Sequence, residues 1–190
     1  MKTTLFKSIG IVLLFISFIA LSFFGSFYFA SQTKGGIEVN KRVNADFIVS
    51  DKKNILLFFG YFGCKDVCTP ILQELATLYE SQEFATIKKD VAILFINLTP
   101  ATQPQQVDLF AKFFNNNFQG IYLSQKELLN IDRTFGVYFS QSLNDKTEFN
   151  HTDYIYLLEN TTDTKILKKI YSAHPLQIKQ LINDITLQNK

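Results

Sequence analysis

Tryptophan is absent from the 190 residues, and cysteine and histidine occur only twice each. Two cysteines exclude a disulfide-dense scaffold. Even pooled with His151 and His174 they allow at most one four-ligand zinc site by count, and their spacing matches no zinc-finger pattern. Eight glycines and four prolines exclude collagen-like and low-complexity chains, and 47% hydrophobic against 19% charged residues excludes disorder. Strong charge of one sign is also missing: 19 Lys and Arg face 17 Asp and Glu. Lys2 and Lys7 carry the whole excess, since residues 1–30 contain no acid. Without clustered basic charge the chain has no nucleic-acid-binding face.

What the N-terminus lacks is more telling. No charged residue occurs from Ser8 to Thr33, and the apolar run Ile9–Ala30 is 22 residues long. About 20 apolar residues cross a bilayer as a helix, whereas a cleaved signal has an apolar stretch of roughly 7–15. The best small-x-small motif, Ala20-Leu21-Ser22, falls inside the run. The expectation is therefore an uncleaved anchor at 9–30, behind a cytoplasmic flank at 1–8. Basic residues lie on both sides of the span, Lys2 and Lys7 before it and Lys34, Lys41 and Arg42 after it, but a short basic N-terminus before a first span usually stays cytoplasmic, so the domain is expected to face the periplasm or cell exterior. Residues 31–44 are polar, contain Gly35-Gly36 and read as a linker. Residues 45–190 read as one domain.

Within it, Asn54–Tyr61 and Val91–Leu98 are continuous apolar runs, as strands buried on both faces require. A helical stripe of Ile71, Leu72, Leu75, Leu78 and Tyr79 runs between them, over about Thr69–Phe84. A second helix is expected over Pro104–Asn116, with Pro104 in its first turn and a stripe of Val107, Leu109, Phe110, Phe113 and Phe114. Ser124 and Glu127 form a capping box for a third, which ends near Phe135-Gly136. Asp153–Leu158 and Lys165–Tyr171 read as an antiparallel hairpin, and a last helix begins at Pro175. A βαβ unit followed by a ββα unit predicts an α/β, thioredoxin-like three-layer domain with a central mixed sheet.

Cys64 and Cys68 stand where the first strand yields to its helix. Four residues apart, they can share one helical face, so that their sulfurs bind one metal ion or form one disulfide. Free amides and the dipole at a helix start favour thiolate, the form that binds soft metals and attacks disulfides. Two thiolates suit Cu(I) and also Zn(II). A permanent structural disulfide in a binding module is the plain alternative, and its small loop would stabilise little. His151 precedes the hairpin. His174, before Pro175, reads as a loop or cap residue.

These residues carry a resemblance. Phe59-Gly60-Tyr61-Phe62-Gly63-Cys64-Lys65-Asp66-Val67-Cys68 resembles the F-G-Y-T-x-C-P-D-V-C-P signature of the Sco/SenC copper-protein family. Asn150-His151-Thr152-Asp153-Tyr154-Ile155-Tyr156-Leu157-Leu158 is similar to its D-H-S-x-x-I-Y-L-I segment, and Phe135-Gly136-Val137-Tyr138-Phe139 to its F-G-V-Y-Y. The resemblance extends from about Asn54 to the C-terminus. It implies a thioredoxin fold tethered outside the inner membrane by a single-pass anchor. It implies one copper ion, Cu(I) or Cu(II), bound by Cys64, Cys68 and His151. It implies a role in assembling the CuA site of cytochrome c oxidase, with an oxidase subunit or another copper or thiol client as partner. The same cysteines allow a second function, thiol–disulfide exchange in which Cys64 attacks and Cys68 resolves. The chain departs from the family pattern at Gly63, Lys65 and Asn150, and at Asn97-Leu98-Thr99-Pro100 where the family has D-P-x-R.

Overall fold

The computed structural model describes residues 14–25, 36–99, 103–143, 149–162 and 164–189. It divides into two units, residues 1–34 and 35–190. In the first, residues 14–25 form helix α1 with exposed Leu, Ile and Phe side chains. The remainder of the expected anchor at 9–30 lies outside the described residues. Among the described residues no helix is long and apolar enough to cross a membrane.

The second unit is built on a six-stranded mixed sheet in the order β1-β8-β7-β2-β3-β4. Its strands are β1 (Ile37–Val43), β2 (Asn54–Gly60), β3 (Val91–Asn97), β4 (Gln119–Tyr122), β7 (Tyr154–Asn160) and β8 (Lys165–Ser172). Parallel pairing joins β2 to β3 and β3 to β4, whereas β7, β8 and β1 are antiparallel additions. Every residue of β2 and β3 is buried, as strands covered on both faces should be. Successive side chains of β2 enter opposite cores. Leu56 and Phe58 pack with α2 (Cys68–Glu80), α4 (Pro104–Phe114) and α6 (Ile178–Gln188). Ile55, Leu57 and Phe59 pack with α5 (Gln125–Phe135) and Tyr156. Three layers result, the thioredoxin-like arrangement expected from the element order.

Several expectations are corrected. Residues 37–43, read as linker, form β1 on β8. That strand is an edge with exposed side chains and a bulge between Glu38 and Lys41 at the positive φ of Asn40, so it shows no apolar alternation. β4 is a short strand that the pattern did not mark. The first helix stops at Glu80, where Ser81 takes an extended φ/ψ and caps a one-turn helix, α3 (Gln82–Ala85). On α4, Val107 and Ala111 are buried, but Leu109 and Phe113 point outward. The last helix starts at Ile178 rather than Pro175. The Ser124–Glu127 capping box is present in full, and Gly136 ends α5 with a left-handed conformation.

Beyond the main sheet, β5 (Phe139–Gln141) and β6 (Phe149–His151) form a two-stranded hairpin that pairs Phe139 with His151. It hangs over the carboxyl end of β2 and is the device that delivers the histidine.

Candidate metal centre

The loop from β2 to α2 is folded by its own backbone. Gly63 has φ +87°, and the Cys64 amide donates to the Tyr61 carbonyl at 3.2 Å. Asn97, at the end of β3, holds the same loop: its Oδ1 accepts the Phe62 amide at 2.9 Å. The Asn97 amide in turn donates to the Thr99 carbonyl, and the Thr99 hydroxyl donates to Asn97 Oδ1. Asn97 is fully buried, and its contacts explain why a polar residue closes the run VAILFIN.

Cys68 opens α2, and its amide donates to Cys64 Sγ at 3.4 Å. The Thr69 hydroxyl donates to the Cys64 carbonyl at 2.9 Å. The helix-start amide expected to stabilise a thiolate therefore acts on the first cysteine. Both thiols are free and buried. His151 completes the group: its Nε2 lies 3.5 Å from Cys68 Sγ, and its Nδ1 donates to the Thr152 carbonyl at 3.0 Å. That second bond turns the Nε2 edge toward the sulfurs, the orientation seen in ligating histidines. Phe58 and Tyr61 flank the ring at centroid distances of 6.4 and 5.9 Å.

One donor atom from each of Cys64, Cys68 and His151 lies within 4.8 Å of the other two. The three residues singled out in the sequence are thus brought together. His174 is not in the group; its amide donates to Ser172 Oγ in a separate turn.

Electrostatics divides the two thiols. Hydrogen bonding to Cys68 lowers the Cys64 pKa against the opposing effect of burial, helped by His151 and the amides of Cys68 and Val67. Cys68 moves the other way, pushed up by hydrogen bonding to Cys64 and by burial. Burial disfavours a charged His151, but hydrogen bonds to Cys64 and the Thr152 carbonyl outweigh it and raise its pKa. These shifts favour thiolate at Cys64 over thiolate at Cys68, and favour a protonated His151 more than in a free histidine. A soft cation fits this donor set. Two sulfurs and an imidazole suit Cu(I), and the imidazole makes the site acceptable to Cu(II) as well. Metal binding would displace protons from Cys68 and His151.

Sequence reasoning missed Asn97, Gly60 and the β5–β6 hairpin. Gly60 is required by the site: a Cβ there would meet Cys68 Sγ at 2.5 Å. In the sequence Gly60 stood within the signature segment and Asn97 within a departure from the family pattern, each next to the end of an apolar run, and neither carried a role.

Comparison with known proteins agrees with this geometry. A sequence model of the SCO1/SenC family matches residues 41–186. The human mitochondrial SCO1 homolog is 26% identical over 108 residues, which are 55% of this chain and 36% of that protein. The SCO2-like protein of Rickettsia felis is 23% identical over 163 residues, 76% of this chain and 78% of its own. Among solved structures, Arabidopsis thaliana ScoI with copper bound superposes with a TM-score of 0.60 at 23% identity, covering 72% of this chain and 83% of that one. The likeness to that structure is one of fold. With the family match spanning most of the folded unit and meeting the two cysteines and the histidine, this chain belongs to the SCO1/SenC family.

Proposed function

We propose that this protein is a membrane-anchored copper chaperone that holds one copper ion through Cys64, Cys68 and His151. Its client would be the CuA site of cytochrome c oxidase, and its domain would face the periplasm or cell exterior. The observation that carries the reading is the convergence of three soft-metal donors within 4.8 Å, delivered by a helix start and a separate hairpin. Supporting it, copper-bound Sco structures share the fold. Copper supplies the transferable cargo. The protein's residues hold it between two buried sulfurs and a half-buried imidazole, with the Thr152 carbonyl fixing the histidine. Anaerobic titration of the reduced protein with Cu(I), then Cu(II), tests this. One ion per chain is expected, lost in Cys64→Ser and Cys68→Ser and weakened in His151→Ala, most for Cu(II). Unchanged stoichiometry in the double cysteine variant overturns it.

A second reading, thiol–disulfide exchange, draws on the opposite pKa shifts of the pair. A thiolate at Cys64 would attack a client disulfide, forming a mixed disulfide and releasing one client thiolate. Cys68, losing its proton, would then attack Cys64 and release the second client thiol. Reduction of a disulfide-bonded client no faster than by glutathione alone would exclude it.

A further inference from the structure

The chain enters the folded unit at the end that carries the metal centre. β2 ends at Gly60, where the cysteine loop begins, and β7 starts and β8 finishes at that same end, with Tyr154 opposite Ser172. β1 starts near it too. Ile37 lies opposite Ile170, Ile170 opposite Tyr156 and Tyr156 opposite Leu57, and from there β1 runs away from the metal centre to Val43. Only residues 31–36 separate β1 from the apolar run 9–30 of the sequence, a reach of about 20 Å at full extension. Four large apolar side chains are exposed at this end. Phe62 lies in the cysteine loop, Tyr138 leads into the histidine hairpin, Tyr154 opens β7 and Ile37 opens β1. Phe62 stands where the family signature has threonine, and its ring stays exposed although it packs on Phe110 at 5.4 Å.

We propose that this end of the domain docks on the lipid bilayer, with Phe62, Tyr138, Tyr154 and Ile37 seated in the interfacial layer and the metal centre turned toward it. The short tether selects lipid as the occupant. An end of the domain held within about 20 Å of a membrane anchor meets the bilayer at high effective concentration, before any soluble partner. Tyrosine, apolar in the ring and polar at the tip, settles at membrane–water interfaces, and Phe and Ile add apolar area there. The exposed charges of the cysteine loop, Lys65 and Asp66, are of opposite sign, so the docking is apolar in origin rather than an attraction to anionic lipid. Cys64 lies two residues beyond Phe62, so the cargo leaves the domain at the membrane surface, toward an acceptor whose own metal site lies at headgroup depth. The inference rests on the anchored reading above and adds where the metal is handed over.

The absence of tryptophan supplies the probe. The full chain is reconstituted into phosphatidylcholine vesicles with and without brominated acyl chains, as four single variants: Phe62→Trp, Tyr138→Trp, Val49→Trp and Leu187→Trp. Val49 and Leu187 are exposed at the opposite end, beside the start of β2 and the end of α6. Circular dichroism checks each fold, and Ile37→Trp replaces either metal-end variant that does not fold. Emission of Phe62→Trp and Tyr138→Trp should shift to shorter wavelength and be quenched by the brominated lipid several-fold more than that of the other two. Solvent-like emission at all four positions, in protein that resists alkaline extraction from the vesicles, overturns the docking, leaves the anchored reading intact and assigns these side chains to a protein partner. Stronger quenching at Val49→Trp or Leu187→Trp also overturns it, since the metal centre would then face away from the lipid. Release of the wild type by alkaline extraction overturns the anchored reading and the inference together.

Discussion

The Cys68 sulfur rests on the backbone of Gly60, so closely that a Cβ on that residue would lie 2.5 Å away. The Phe95 ring closes the other side at 3.0 Å. Neither neighbour has room to move, because Cys68 is the first residue of α2 and Phe95 sits in a fully buried strand. Gly60→Ala should therefore push the second sulfur away from the first and from His151. Overpacking of this kind costs about 1–3 kcal/mol. Copper affinity should fall about 10-fold or more, and equilibrium copper titration beside a denaturation curve measures both losses. An affinity unchanged from wild type would show that the sulfur has another place to sit.

Asn97 clamps the loop that carries Cys64. In Asn97→Ala the Phe62 amide loses its acceptor, and the Thr99 hydroxyl and carbonyl each lose one hydrogen bond. Leaving buried polar groups unpaired costs about 1–3 kcal/mol. The loop should then open independently of the sheet. Faster exchange of the Phe62 and Cys64 amides, measured by hydrogen–deuterium exchange, is the expected local signature, with β2 and β3 still protected. Uniform loss of protection across the sheet would instead mark a global role.

The two thiols should titrate separately in the reduced, metal-free protein. The Cys64 pKa is lowered and the Cys68 pKa raised, so one thiolate per chain should persist well below the ordinary thiol value of about 8.5 and the second should not appear there. The linkage has a definite sign. In mildly acidic solution the unfolded state holds a Cys64 proton that the native state has released, so stability from this group rises with pH and is lost as pH falls through the native value. His151 acts oppositely: above its unfolded value of about 6.5 the native state keeps a proton that the unfolded state has lost. Thiolate ultraviolet absorbance against pH tests the assignment, with Cys64→Ser expected to abolish the low-pH thiolate and Cys68→Ser to retain it. Two thiolates rising together near the ordinary value would refute it.

How much of this was legible beforehand follows from where each element takes its stability. β2 and β3 are buried on both faces, and α5 carries its own capping box, so each wrote a complete signal into its local sequence. β1 is an exposed edge stabilised by pairing with β8, and β5–β6 has three-residue strands; both depend on partners distant in the chain. The cysteines could be read because their spacing is local. His151 could not be tied to them by spacing, since 83 residues separate it from Cys68. Only the resemblance linked them before the hairpin was seen. The outward turn of Leu109 and Phe113 was hidden for a similar reason: α4 buries a narrower stripe, Val107 and Ala111, than its apolar composition suggests.

A buried charge cluster away from the metal donors makes the fold sensitive to alkali. Lys169 is 6% exposed and pairs with Asp184 at 2.9 Å, and the Tyr171 hydroxyl donates to the same carboxylate oxygen at 2.7 Å. Without Asp184, buried Lys169 would keep only the more distant and exposed Glu38 carboxylate, 4.0 Å away, so the loss approaches the cost of about 3–5 kcal/mol for breaking a buried pair. Asp184→Ala should therefore lose several kcal/mol in chemical denaturation while copper stoichiometry holds. Asp184→Asn, which keeps an acceptor for Tyr171, should lose less. The same tyrosine adds a pH dependence. Burial, then the bond and charge of Asp184, push the Tyr171 pKa well up, and burial lifts Tyr156 to about 12. Above about pH 10 the unfolded chain loses tyrosine protons that the native state retains, so stability present below that pH declines as it rises. Denaturation midpoints measured upward from about pH 8, roughly two units below the ordinary tyrosine value, should fall in the wild type and fall less steeply in Tyr171→Phe. Parallel declines in the two proteins would place the alkaline sensitivity elsewhere.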